Sequence, residues 1–263
     1  MRNRWFIALA AIGLHISIGS VYAWSVLTRP IMADMGFTLS QTTWTFSLAI
    51  LMLGLSAGFL GSFAEKIGPK KSGLLAMLFW VTGLLGTAYA LSIHNLTLLY
   101  LFYGIIGGIG LGIGYITPVS TLVKYFPNRP GFATGLAIMG FGFASLIAGP
   151  LMQYLVAQVG LVDTFIILGV IYLVIMGASS LYLKAPQPKH PTRTTKDRST
   201  MYVHTYGMLA NDAMKTWQFG ALWWISFVNI TCGIGLLSLA SPMAQEAIGM
   251  TPAAAASLVG IIG

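Results

Sequence analysis

Seven apolar stretches, each long enough to cross a bilayer, constrain this chain more than any other feature. They cover residues 5–28, 44–64, 72–92, 96–123, 131–156, 163–183 and 217–240, and an eighth begins near Pro252. A membrane-spanning helix needs about 20 apolar residues. The Lys, Arg, Asp and Glu residues lie at the ends of these stretches or between them, since a charge at the bilayer centre costs about 2.5–3.5 kcal/mol. The sequence therefore predicts an all-α membrane protein with several spans.

The low charge content excludes most soluble classes of protein. Charged residues make up 8% of the 263 residues and apolar residues 56%, whereas a soluble domain has about 25% charged residues. A cytosolic enzyme, a disordered chain and a coiled coil are thus disfavoured. The single cysteine and the four scattered histidines do not have the number or spacing of a disulfide or zinc framework. We expect no enzymatic activity, no metal and no cofactor.

The basic residues alternate from one loop to the next. Of the 14 Lys and Arg residues, all but Arg29 precede span 1 or lie between spans 2 and 3, 4 and 5, or 6 and 7. By the positive-inside rule, the N-terminus and the 184–216 loop are cytoplasmic. The net charge of +8 is therefore explained by the basic residues of the cytoplasmic loops. We expect no nucleic-acid partner.

The order of the spans predicts a two-bundle transporter. Residues 1–183 would form an N-terminal six-helix bundle, 184–216 a basic cytoplasmic linker, and 217–263 the start of a C-terminal bundle. The last 12 residues give about 18 Å of helix and end in apolar sequence. We therefore expect the chain to be the front part of a longer protein, with the rest of the C-terminal bundle as its partner. Within span 4, glycines at 104, 108 and 112 predict close packing against another helix.

The segment between spans 2 and 3 reads Gly-Ser-Phe-Ala-Glu-Lys-Ile-Gly-Pro-Lys-Lys from residue 61. It resembles the major facilitator superfamily signature G-x-x-x-[DE]-[RK]-x-G-x-[RK]-[RK] at every specified position. The resemblance implies two six-helix bundles when complete, here spans 1–7 and the start of span 8. We expect a loop in which Gly68 reverses the chain and Glu65 pairs with a cation or helix terminus in one conformer; a generic basic loop is the alternative. The predicted conformational latch consists of Gly61, Glu65, Lys66, Gly68, Lys70 and Lys71.

A second, ordered set of short motifs extends over nearly the whole chain. Its members are Asn3-Arg4-Trp5-Phe6, Gly19-Ser-Val-Tyr22-Ala-Trp24-Ser, Gly114-Tyr115-Ile-Thr-Pro118, Lys124-Tyr-Phe-Pro127-Asn-Arg129-Pro-Gly131, Asn229-Ile-Thr-Cys-Gly233-Ile-Gly235-Leu and Ser241-Pro242-Met-Ala-Gln-Glu246. The set resembles the oxalate/formate antiporter family, which is related to bacterial lactate and pyruvate transporters. The resemblance implies a secondary active transporter for small carboxylates, coupled by exchange or by protons, in the plasma (inner) membrane of a prokaryote. In that family the anion-binding cations lie in spans 8 and 11, which this chain does not reach.

The resemblance also implies that tyrosines of spans 1 and 4, here Tyr22 and Tyr115, help to bind the substrate. A phenolic hydroxyl donates a hydrogen bond to a carboxylate without burying a second charge. His15 lies two helical turns before Tyr22 on the same face, and it is a candidate proton carrier or anion partner. Phe141 is a candidate apolar wall of the cavity. The alternatives are packed aromatic residues, an interfacial position for Tyr22, and a neutral, hydrogen-bonded His15.

Two other functions stay open. A proton-coupled drug or cation exporter of the same superfamily would be favoured by an acidic residue within the spans, and none occurs before Gly263. A non-transporting membrane sensor would need an attached signalling domain, of which the sequence shows no sign.

Overall fold

A computed structural model describes residues 3–186 and 210–262, and no strand occurs among them. Most of the predicted 184–216 linker therefore lies outside the described residues. A short helix, Pro252–Ile262, follows the last span. Within the described ranges, seven helical spans are long and apolar enough to cross a membrane. We number them 1 to 7: Arg4–Met35, Leu39–Ile67, Pro69–Ser92, Leu96–Tyr125, Pro130–Val159, Leu161–Tyr182 and Trp217–Ala247.

Local sequence signals set several of the helix ends. Thr38 caps span 2, where its hydroxyl accepts from the Gln41 N–H and the Gln41 side chain accepts from the Thr38 N–H. Asn95 caps span 4 by accepting from the Leu98 N–H. Such caps satisfy N–H groups that have no partner inside the helix.

The predicted latch segment is more helical than the sequence suggested. Span 2 continues to Ile67 and span 3 begins at Pro69, so Gly68 alone separates them. Gly68 has φ of 83°, which favours glycine because it has no Cβ. Proline at the first helical position then restarts the helix at once.

The glycine face of span 4 packs against span 2, as predicted. A Cβ added at Gly104 would lie 2.9 Å from the Leu48 Cβ, and one at Gly108 would lie 2.6 Å from the Met52 Cβ. At Gly112 it would overlap the Ser56 hydroxyl. The close-packing prediction is confirmed, because no larger side chain would fit between these two helices.

The chain divides into two compact units, Met1–Ala185 with Leu237–Gly263, and Pro186–Leu236. In the first unit, spans 1–6 pack together, and helix Pro252–Ile262 packs against the second half of span 5. The described part of the second unit includes the first half of span 7, where Trp223 and Phe227 stack with ring centroids 5.3 Å apart.

Candidate functional site

An interruption of span 1 positions the first predicted site residue. The helix Arg4–Gly19 gives way to a 3₁₀ turn, Ser20–Ala23, and resumes as Trp24–Met35. Tyr22 lies in that turn. A Cβ at Gly19 would lie 2.7 Å from the Ala144 Cβ and would overlap the Phe141 carbonyl oxygen. Spans 1 and 5 are therefore in direct backbone contact beside Tyr22.

The four predicted site residues lie in one aromatic cluster centred on Phe141. The ring centroid of Phe141 is 4.9 Å from that of Tyr22, 5.4 Å from that of Tyr115 and 5.9 Å from that of His15, each in an edge arrangement. His15 also stacks on Tyr115, with centroids 5.5 Å apart and an angle of 24°. The structure thus brings spans 1, 4 and 5 together at these residues; their role in substrate binding stays a prediction.

The two phenolic hydroxyls of the cluster are available to a ligand. Tyr22 and Tyr115 are half-buried, and neither hydroxyl has a hydrogen-bond partner among residues 3–186 and 210–262. Neither hydroxyl belongs to the fully buried polar atoms without a partner, so both stay accessible in the described part of the chain. A ligand carrying acceptor atoms would satisfy both donors.

His15 is fully buried and lies between two backbone carbonyls on different spans. Its Nδ1 is 2.6 Å from the Ala137 oxygen of span 5, and its Nε2 is 3.0 Å from the Tyr115 oxygen of span 4. Pro118 lies inside the helix one turn after Tyr115. Because proline supplies no backbone N–H, the carbonyl of Gly114, one residue before Tyr115, has no donor four residues later in the helix.

The surroundings of the cluster carry no ionised carboxylate or ammonium group. Residues 5–28, 96–123, 130–162 and 164–183 contain no Asp, Glu, Lys or Arg. In the described part of the chain, no group of three or more His, Cys, Asp or Glu side chains is arranged to hold a metal ion.

The latch segment forms one ion pair. The Lys124 Nζ at the end of span 4 is 3.1 Å from the Glu65 Oε1 at the end of span 2. Both side chains are about half exposed. The other members of the latch make no such pair. Lys66, Lys70 and Lys71 have no acidic partner within the described ranges, and a Cβ added at Gly61 would lie 3.0 Å from the Ile116 side chain. That the pair acts as a latch stays a prediction.

Sequence reasoning missed a second polar contact, at the other end of span 1. Arg29 donates hydrogen bonds to the side chains of Gln245 and Glu246. Its Nη2 is 2.8 Å from the Glu246 Oε1, and its Nη1 is 3.1 Å from the Gln245 Oε1. Beside it, a Cβ at Gly149 of span 5 would lie 2.8 Å from the Ala256 carbonyl oxygen. The sequence did offer a signal, because Arg29 is alone among the basic residues in its set of loops. Residues 245–260 thus contact this end of spans 1 and 5.

The arrangement can be compared with known protein families. Residues 6–263 match the profile of the Major Facilitator Superfamily. The chain belongs to the major facilitator superfamily. The predicted superfamily fold is confirmed, and with seven spans the chain is an integral, multi-pass membrane protein.

Curated relatives of this superfamily member include transporters of several kinds. It is 29% identical over 266 residues to the uncharacterized MFS-type transporter YhjX of Escherichia coli, covering 99% of this chain and 63% of that protein. It is 26% identical over 244 residues to the oxalate:formate antiporter of Oxalobacter formigenes, covering 91% and 54%. It is 27% identical over 188 residues to human monocarboxylate transporter 14, covering 71% and 36%. The chain thus spans about one third to two thirds of the length of these relatives.

Two solved structures share the fold. The D-xylose-proton symporter matches with a TM-score of 0.67 at 15% identity, over 98% of this chain and 65% of that one. A bacterial homologue of the human lysosomal transporter Spinster matches with a TM-score of 0.66 at 16% identity, over 99% and 59%. At this identity the likeness concerns the fold alone.

Proposed function

We propose that this chain belongs to a secondary active transporter that moves small organic anions across a prokaryotic plasma membrane by alternating access. The observation that carries the proposal is the clustering of Tyr22 and Tyr115. Their rings both contact Phe141 where spans 1, 4 and 5 converge, and their hydroxyls have no hydrogen-bond partner among the described residues. Two neutral donors suit a carboxylate, because each can donate a hydrogen bond to one oxygen.

The charge distribution supports an anion rather than a cation as cargo. The parts of spans 1, 4 and 5 that surround the cluster, residues 5–28, 96–123 and 130–156, contain no acidic residue, so no carboxylate on them would neutralise a bound cation. An anion entering the same region meets hydroxyl donors and no repelling carboxylate. A drug or cation exporter would need the opposite arrangement.

The relatives support the narrower substrate class. The oxalate:formate antiporter and human monocarboxylate transporter 14, both similar to this chain, bear names that refer to small carboxylates. We therefore place oxalate, formate, lactate and pyruvate first among the candidate substrates. In this proposal, the Glu65–Lys124 pair of the latch segment biases which side of the carrier is open.

Counterflow in proteoliposomes tests the proposal. Vesicles loaded with unlabelled oxalate, formate, lactate or pyruvate should accumulate the labelled form of the same anion through the reconstituted transporter. Vesicles loaded with a sugar or an organic cation serve as matched controls and should give no counterflow. Exchange of an organic cation without exchange of any carboxylate would establish the exporter instead.

A further inference from the structure

The environment of His15 is complete only when its side chain carries a proton on both ring nitrogens. Both nitrogens face carbonyl oxygens, at 2.6 Å and 3.0 Å. A neutral imidazole has one N–H and can donate to only one of them, which leaves the lone pair of the other nitrogen against an oxygen. An imidazolium donates to both.

We infer that His15 is the proton-binding site of this transporter and that its proton moves together with the carboxylate. The inference rests on the proposed function and adds the coupling ion to it. In the step that it describes, one ring nitrogen takes a proton from the solution on one side and returns it to the solution on the other. A monocarboxylate and this proton carry opposite unit charges, so the loaded carrier moves no net charge.

The neighbours of His15 can stabilise a positive charge without pairing with it. The elements packed against this half of span 1 are spans 4, 5 and 6. Of their titratable groups, Tyr115 contacts the His15 ring, at a centroid distance of 5.5 Å, within the range of a cation–π contact. On span 1 itself Tyr22 follows two turns later; no Asp, Glu, Lys or Arg of these elements lies at this depth. The aromatic ring and the two carbonyl oxygens thus stabilise the positive charge of the imidazolium. Because no carboxylate neutralises that charge, the imidazolium still attracts an anion bound at the tyrosine hydroxyls.

Burial links proton exchange to the conformational cycle. His15 is 0% exposed, and Gly140 of span 5 packs closely enough that a Cβ there would lie 3.4 Å from the His15 Cβ. Water reaches the ring nitrogens only when spans 1, 4 and 5 separate. Loss of the proton in turn places a lone pair against either the Ala137 or the Tyr115 oxygen, which weakens the contact between span 1 and one of its neighbours.

The first experiment compares two modes of transport in His15→Gln. An inward proton gradient should drive lactate or formate accumulation by the wild-type protein, and His15→Gln should lose this accumulation while it retains counterflow, which needs no net proton movement. His94→Gln replaces an exposed histidine in the loop between spans 3 and 4 and should keep both activities. Gradient-driven accumulation that survives in His15→Gln would overturn the inference, whereas wild-type protein without counterflow would overturn the proposed function.

The second experiment needs neither a substrate nor a variant at position 15. In a His94→Gln, His190→Gln, His204→Gln background, His15 is the sole histidine, and ¹⁵N resonances report the protonation of each ring nitrogen. We expect both to carry protons at the acidic end of the range in which histidines ordinarily titrate, about pH 5–8. One ring nitrogen that stays unprotonated across the whole range would exclude a proton-binding role.

Discussion

In the proposed site, Tyr22 and Tyr115 would offer an anion two neutral hydrogen-bond donors in a region without charged side chains. Each keeps part of its surface accessible, and Phe141 holds both rings by edge contacts. Because the hydroxyls lack protein partners in the described part of the chain, removing one of them should affect ligand binding more than folding. That separation makes these positions the sharpest residue-level test of the site.

Tyr115→Phe and Tyr22→Phe should each weaken carboxylate binding with little change in stability. A hydrogen bond to a charged group contributes about 1.5–3 kcal/mol, so the half-saturating concentration in counterflow should rise roughly tenfold to a hundredfold. Tyr154→Phe, which removes an exposed hydroxyl on span 5, is the matched control and should leave it unchanged. Unaltered saturation in the double variant Tyr22→Phe, Tyr115→Phe would remove both hydroxyls from the site.

The sequence predicted the members of this cluster but not the details of its hydrogen bonding. The family resemblance supplied Tyr22 and Tyr115, and helical spacing placed His15 on the face of Tyr22. Its partners are main-chain oxygens of Ala137 and Tyr115. Every residue has such an oxygen, so no pattern of side chains marks the ones that tertiary packing will present to a neighbouring helix.

At the scale of the helices, close backbone contact holds the site together. Span 1 meets span 5 at Gly19, and span 4 meets span 2 along its glycine face. Lipid tails are as apolar as the side chains of these helices, so the hydrophobic effect does not drive helices together within the bilayer. Close packing stabilises the helix pairs instead. Small residues at these points are therefore structural requirements of the site.

Gly19→Ala should destabilise the protein because the added Cβ would overlap the Phe141 carbonyl oxygen. Overpacking of this kind costs about 1–3 kcal/mol, and we expect a lower unfolding temperature in detergent. Gly54→Ala, in span 2, is the control: a Cβ there has nothing within 4 Å, and alanine favours a helix. Equal unfolding temperatures for the two variants would show that spans 1 and 5 can separate without cost.

Glu65→Gln and Lys124→Gln should each slow transport while changing stability little. The pair is half exposed, and such pairs contribute less than about 1 kcal/mol to folding. The exchanged variant Glu65→Lys, Lys124→Glu should recover most of the transport rate, because it restores the attraction with the charges reversed. If the single variants transport at the wild-type rate, the pair is a surface contact and not a latch.

Span positions were predictable from hydropathy, but the junction of spans 2 and 3 was not. The apolar window ended span 2 at residue 64, whereas the helix continues through Glu65 and Lys66 to Ile67. Charged residues continue a helix readily where it leaves the bilayer, so charge marks the membrane boundary rather than the helix end. The chain reversal between spans 2 and 3 depends on the backbone conformation of Gly68 alone. A hydropathy profile carries no information about backbone conformation.

At the scale of the whole molecule, residues 245–260 contact one end of spans 1 and 5 in two places. Arg29 binds Glu246 and Gln245, and helix Pro252–Ile262 lies against the second half of span 5. Alternating access requires that one end be closed while the other is open. We therefore expect this contact to form and break during each transport cycle.

Arg29→Ala should raise the exposure of residues beneath this contact. In a Cys232→Ser background, which has no other cysteine, Ala256→Cys places a thiol at a fully buried position. A polar maleimide should label it faster when Arg29 is also replaced, by about fivefold for a contact worth 1 kcal/mol. Asp34→Asn, a charge removal elsewhere in the same set of loops, should not alter labelling, and equal rates for Arg29→Ala would exclude a gating role.

The exposed position of the Arg29–Glu246 pair has a consequence for how the carrier would respond to its medium. Its side chains are 40% and 64% exposed, so dissolved ions screen their attraction, with a Debye length of about 8 Å at physiological ionic strength. High ionic strength should therefore weaken the Arg29–Glu246 contact, and low ionic strength should strengthen it. Salinity would then set the fraction of carriers resting with that end shut, without any change in the substrate concentration.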